Sequence, residues 1–106
     1  MIDKKICGLL GLARRAGKLI FGTEACKQEL ESNKVKLIII ATDAAERTKM
    51  NFKNICNEKD VPIFEILNID ELSKAIGQSN KAIIGIKDIN FSKEIIKIIN
   101  GGEAIG

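Results

Sequence analysis

A chain of 106 residues, 45% hydrophobic and 29% charged, is the size of one domain that buries a core without disulfides or a structural metal. Its net charge of +3 excludes a polybasic tail, and its Ile, Leu and Val content excludes disorder. The longest apolar run, LIIIA at 37–41, is strand length, and MIDKKICGLLGLARR makes a poor signal peptide, so a cytoplasmic protein with no membrane partner is expected.

A first helix is predicted over residues 4–16. Asp3 is placed to cap it, Ile6, Leu9, Leu10 and Ala13 follow i, i+3, i+4, i+7 spacing, and Gly17 suits a left-handed stop. Leu19 to Phe21 reads as a short strand, after which Gly22 and Thr23 open a second helix that runs to Ser32 and stops at Asn33. Lys36 to Ala41 is apolar after its first residue, the mark of a strand buried on both faces. Asp43 with Glu46 has the spacing of a capping box for a third helix ending near Lys59, whose inner face holds Phe52, Ile55 and Cys56.

Pro62 starts the strand IFEI, and Asn68 with Glu71 caps a shorter helix, LSKAI, closed by Gly77. The polar loop QSNK leads to a strand over 82–86, a last helix covers Phe91 to Ile99, and residues 101–106 form a loose tail. Strand and helix alternate throughout, so one α/β domain over residues 1–100 is expected, with about four strands between helical layers.

The chain has no histidine, which removes Ser-His-Asp and Cys-His nucleophilic machinery and most zinc sites. GxGxxG and P-loop patterns are absent, and Asp70-Glu71 and Glu29-Glu31 sit on predicted helix surfaces, so neither an enzyme nor a cofactor is expected. Gly8, Gly11 and Gly17 are read as allowing close helix packing, and Cys7, Cys26 and Cys56 as small buried residues in a reducing compartment. The four phenylalanines are dispersed and Tyr and Trp are missing, which argues against a sheet surface that stacks bases.

What remains is LARRAGKLIFGTE at 12–24. A helix beginning at Gly22-Thr23 presents unpaired N–H groups and a partial positive charge, with Arg14, Arg15, Lys18 and Lys27 nearby in sequence, the ingredients of a phosphate site. The alternative is a plain strand-to-helix turn beside solvated lysines, with Arg14 and Arg15 complementing the dipole of the first helix. Basic residues are concentrated in this half: residues 1–53 hold 11 Lys or Arg against 6 Asp or Glu, and residues 54–106 hold 6 against 8.

LGLARRAGKLIFGTEACKQELESNKVKLIIIATDAAERTKMN, followed by VPIFEI, ELSKAIG and AIIGIKD, resembles the L7Ae/L30e/S12e/Gadd45 family of ribosomal and kink-turn RNA-binding proteins, in its bacterial YlxQ-like branch. The resemblance spans about residues 5–99 and rests on the combination of RAGK, a Gly-led helix, Ala-x-Asp after the central strand and a late Ala-x-Gly. It implies a three-layer α-β-α sandwich around a mixed four-stranded sheet, and a monomeric, non-enzymatic partner of structured RNA linked to ribosomes or translation. It places RNA contacts at Lys18, Gly22, Thr23, Glu24 and Lys27 on one side and at Gly77, Gln78, Ser79, Asn80 and Lys81 on the other.

One departure stands out. Kink-turn binders of the family carry Gly-any-Asn-Glu at this helix start, and here the last two positions are Glu24 and Ala25, of which Ala25 cannot accept a hydrogen bond from guanine. A different structured RNA, or a site read through shape, is therefore compatible with the sequence, and so is a protein-interaction module on the same fold.

Overall fold

A computed structural model describes residues 2–101, so the tail expected at the C-terminus falls, apart from Gly101, outside the described residues. Helix α1 spans Ile2–Arg15, β1 Leu19–Phe21, α2 Thr23–Glu31, β2 Leu37–Ile40, α3 Glu46–Lys59, β3 Ile63–Glu65, α4 Ile69–Ala75, β4 Ile83–Ile86 and α5 Ile89–Ile99. The strands form one sheet in the order β1-β4-β2-β3, in which β4 is antiparallel to β1 and β2 while β2 and β3 run parallel. Helices α1, α4 and α5 pack together on one face and α2 with α3 on the other, which makes the three-layer α-β-α sandwich that the sequence implies.

The central strands explain their own composition. Every residue of β2 and β4 is buried, because helices cover both faces of the sheet and leave no position for a polar side chain. Gly85 of β4 lies between Ile20 and Ile38, where an added Cβ would come within 3.1 Å of Ile20 Cγ1. These three residues therefore share a sheet face, which fixes the direction of their neighbours two positions on.

Helix ends follow local chemistry. Gly17 (φ +73°) closes α1 in a Schellman turn, with its N–H donating to Arg14 O at 3.0 Å and Lys18 N–H donating to Ala13 O at 2.9 Å. Asn33 (φ 60°) closes α2 in the same way, through Asn33 N–H to Leu30 O and Lys34 N–H to Glu29 O, both 3.0 Å. The Asn68–Glu71 capping box of α4 is complete, each side chain accepting from the other's backbone N–H at 2.8 and 2.9 Å.

Four expectations need correction. Helix α1 begins at Ile2, two residues before the expected start, so Asp3 falls within its first turn. Helix α3 is preceded by Ala45 with no side-chain cap; Asp43 Oδ1 instead accepts from Ile69 N–H at 2.8 Å, and Glu46 pairs with Lys49 at 3.3 Å. The Asp43 carboxylate thus stitches the loop after β2 to the start of α4, a long-range use that outweighs the local one. Helix α5 starts two residues earlier than expected, because Asp88 caps it by accepting from Phe91 N–H at 2.9 Å. Of the glycines read as packing sites, Gly11 is one, since a Cβ there would come within 3.2 Å of Ala75 O, whereas Gly8 faces open space and Gly17 lies beyond the helix.

Candidate nucleic-acid interface

Strand β1 delivers the chain to the start of α2. Gly22 N–H donates to Ile83 O at 3.0 Å, so this edge strand stays in register with β4 up to the turn. Gly22 then takes φ 93° and ψ 153°, a conformation open essentially to glycine alone. No side chain caps α2. The N–H groups of its first turn lack helical acceptors and point past the sheet end, beside the exposed Thr23 and Glu24. Lys27 lies four residues after Thr23, on the same helical face, and is exposed.

The loop at 77–81 is held next to this helix start by contacts from three elements. Helix α4 ends in a Schellman turn at Gly77 (φ +68°), with Gly77 N–H donating to Lys74 O at 3.1 Å and Gln78 N–H to Ser73 O at 2.8 Å. The buried Ser73 hydroxyl fixes the far end, accepting from Lys81 N–H at 2.7 Å and donating to Lys81 O at 3.2 Å. The near end is fixed from α1: Arg14 Nη1 donates to Ile76 O, and the Gln78 amide, turned with its oxygen toward the guanidinium, accepts from Nη2 and Nη1 at 3.0 and 3.1 Å. Phe21, the last residue of β1, carries both Arg14 at 5.2 Å and Lys81 at 5.5 Å against its ring.

The structure therefore brings together Gly22, Thr23, Glu24 and Lys27 with Gly77, Gln78, Ser79, Asn80 and Lys81, since Phe21 touches Lys81 and Gly22 is bonded to Ile83. Ser79 and Asn80 are exposed at the loop tip, where Asn80 adopts a left-handed φ of 52°. Arg14 takes part as a clamp on the loop, its guanidinium occupied by Ile76, Gln78 and Phe21. Arg15 lines a cavity of about 330 Å³ between the ends of α1 and α4, with Gly11, Lys74 and Gly77.

Lys18 is not brought to this end. It stands opposite Lys87, with Lys87 N–H donating to Lys18 O at 2.8 Å, four residues and so about 13 Å of strand from Gly22. Two organising residues escape a reading of the sequence alone, Phe21 and Ser73. The signal for Phe21 is a half-exposed aromatic ending an edge strand, and for Ser73 a hydroxyl beside Leu72 on the buried side of a short helix.

No group of three or more His, Cys, Asp or Glu among the described residues is placed to hold a metal ion, and no described helix is long and apolar enough to cross a membrane. A mixed sheet in the order β1-β4-β2-β3 between two helical layers defines a small α-β-α sandwich domain. The model of the ribosomal protein L7Ae/L30e/S12e/Gadd45 family matches residues 4–96, and the chain belongs to that family. It is 38% identical over 98 residues to the RNA-binding protein YlxQ of Enterococcus faecium, covering 92% of this chain and 94% of that one. The YlxQ protein of Bacillus subtilis is 27% identical over 92 residues, covering 87% of this chain and 92% of that one. Among solved structures, a protein of unknown function from Bacillus halodurans superimposes with a TM-score of 0.88 at 33% identity, over 91% of this chain and 97% of that one. The 15.5kD RNA binding protein of Giardia lamblia superimposes with a TM-score of 0.78 at 19% identity, over 99% and 90%, a likeness of fold.

Proposed function

We propose that this protein is a non-enzymatic RNA-binding protein that docks structured RNA, kink-turn-like or ribosomal, on the start of α2 and the 77–81 loop, as a ribosome- or translation-associated factor. The observation that carries the reading is the uncapped α2 N-terminus at Gly22, set beside a loop that Arg14 and Ser73 hold in place. The family and the relatives named for RNA binding support the choice of ligand.

The chemistry is positional. Helix N–H groups and the partial positive charge of α2 face a phosphate, Lys27 and Lys81 supply ammonium groups, and the loop tip offers the polar side chains of Ser79 and Asn80. Glu24 suits the helix dipole but repels phosphate, so the RNA backbone bends around it and approaches through Gly22 and Thr23.

The test is a titration with a labelled kink-turn RNA and with the same RNA carrying disrupted G·A pairs, at several salt concentrations. Preference for the intact kink of about tenfold or more, roughly 1.4 kcal/mol, supports kink recognition. Equal, salt-sensitive binding to both supports a general contact with structured RNA, and no binding to either removes the reading in favour of a protein-interaction module. Lys27→Ala with Lys81→Ala weakens binding and flattens the dependence of log affinity on log salt by up to about 2; an unchanged slope excludes these two lysines from the interface.

A further inference from the structure

The end of the sheet away from Gly22 has its own charge pattern. Strand β1 is preceded by Lys18, β2 by Lys36, and β4 is followed by Lys87. Because β4 runs antiparallel to both neighbours, the register Leu19↔Ile86 and Leu37↔Ile86 places Lys18 and Lys36 on either side of Lys87. Three ammonium side chains therefore stand in one row across adjacent strands, which lie about 4.8 Å apart. They share the face of Gly85, Ile20 and Ile38, and Lys87 Nζ meets Glu29 of α2 at 2.9 Å, so that face is the α2–α3 side. Among the described residues only Lys87 of the three has a carboxylate partner.

Lys36 also lines a cavity of about 400 Å³, whose wall includes Lys59, Lys93, Asn33, Asp60 and Ser92. The hydroxyl of Ser92 is buried beneath this wall, with no hydrogen-bond partner among the described residues. The acidic groups here are few and partly engaged. Glu29 is paired with Lys87, Asp88 Oδ2 caps α5, and Asp60 shares the cavity with three lysines. Like charges opposed across strands cost stability, and an external polyanion removes that cost.

We propose that this lysine end is a second docking surface for RNA backbone, so that one molecule contacts two segments of RNA at opposite ends of its sheet. The proposal rests on the RNA-binding reading above for the identity of the polyanion. Every cation in the row and the cavity is lysine, a point charge on a flexible stem that meets phosphate without a fixed fork. Protein interfaces are depleted of lysine at their centres, which favours a nucleic-acid backbone over an acidic protein.

The experiment is a titration of the ¹⁵N-labelled full chain with a kink-turn hairpin RNA extended by a duplex arm, following backbone amide shifts residue by residue. Two groups are expected to move: residues 22–27 with 77–81, and Lys18, Lys36, Lys59, Lys87 and Lys93. Lys36→Ala/Lys59→Ala/Lys93→Ala is expected to weaken the response of the second group by roughly tenfold or more at low salt while the first is unchanged. Movement of the first group alone overturns this inference and leaves RNA binding at α2 standing. Movement of the second group alone overturns the two-ended contact and removes the α2 site, leaving the lysine end as a single RNA surface, and no movement at all overturns both. Saturation of the lysine end by polyglutamate at concentrations below those needed for RNA makes its partner an acidic protein and also overturns it.

Discussion

Gly22 shows how much one residue decides. Its φ of 93° and ψ of 153° turn an edge strand directly into α2, and a Cβ there would meet nothing within 4 Å. Replacement by Ala therefore costs backbone strain and no clash, and Gly22→Ala is expected to destabilise the protein by about 1–3 kcal/mol in urea unfolding. Gly8 is the control, a glycine inside α1 that also faces open space but has no unusual φ. There the helix preference of Ala over Gly dominates, and Gly8→Ala is expected to stabilise by up to about 1 kcal/mol. A neutral Gly22→Ala would mean that the α2 start relaxes to an ordinary turn, and the N–H groups would lose their fixed aim.

At the scale of elements, β3 is held by its pairing with β2 and is also tied to α3 by an ion cluster. Lys49 of α3 is buried, donates to Thr42 O at 2.6 Å and meets Glu65 at 2.9 Å and Glu46 at 3.3 Å, while Lys53 reaches Glu65 at 3.3 Å. Hydrogen bonds from Lys49, then Lys53, hold the Glu65 carboxyl below its ordinary 4.5, and hydrogen bonding to Glu65 raises Lys49 above its ordinary 10.5. A carboxylate lowered on folding contributes stability that is complete above pH 4.5 and lost as pH falls through the folded value. Glu65→Gln is thus expected to lower the urea midpoint at neutral pH, with the gap to the parent closing below pH 4.5; a gap that persists in acid would assign Glu65 a role through packing alone. The nine elements of the described residues were legible in the sequence because they rest on local signals: apolar spacing, Gly17, Asn33, the Asn68–Glu71 box. The failures are long-range. Asp43 serves α4 and not α3, Arg14 turns to a loop 62 residues away, and Lys18 stands with Lys87, because strand pairing and tertiary partners outrank sequence neighbourhood. The loop and helix start were recoverable from motif resemblance, but the lysine row required the strand order, which no periodicity carries.

At the scale of the molecule, two helical layers are joined through one sheet whose central strands are wholly buried, so the core is continuous from α1 to α3. Cys26 of α2 and Cys56 of α3 are buried in the layer opposite α1 and serve as reporters of it. Burial, with the neighbouring Cys56 adding to it, pushes the Cys26 thiol up to about 12, and burial pushes Cys56 up to about 11. Both are thus short of reactive thiolate as well as of access. If the α2–α3 layer opens only when the whole domain unfolds, alkylation of both cysteines, mapped by peptide mass, proceeds at least about 10³-fold slower than in urea-unfolded chain. The two rates then rise together with denaturant, following the global unfolding equilibrium. Fast labelling of Cys26 that does not depend on denaturant would show that α2 detaches locally. Such detachment would carry the Gly22 helix start away from the 77–81 loop, and binding across those two segments would then have to include the free energy of bringing them back together.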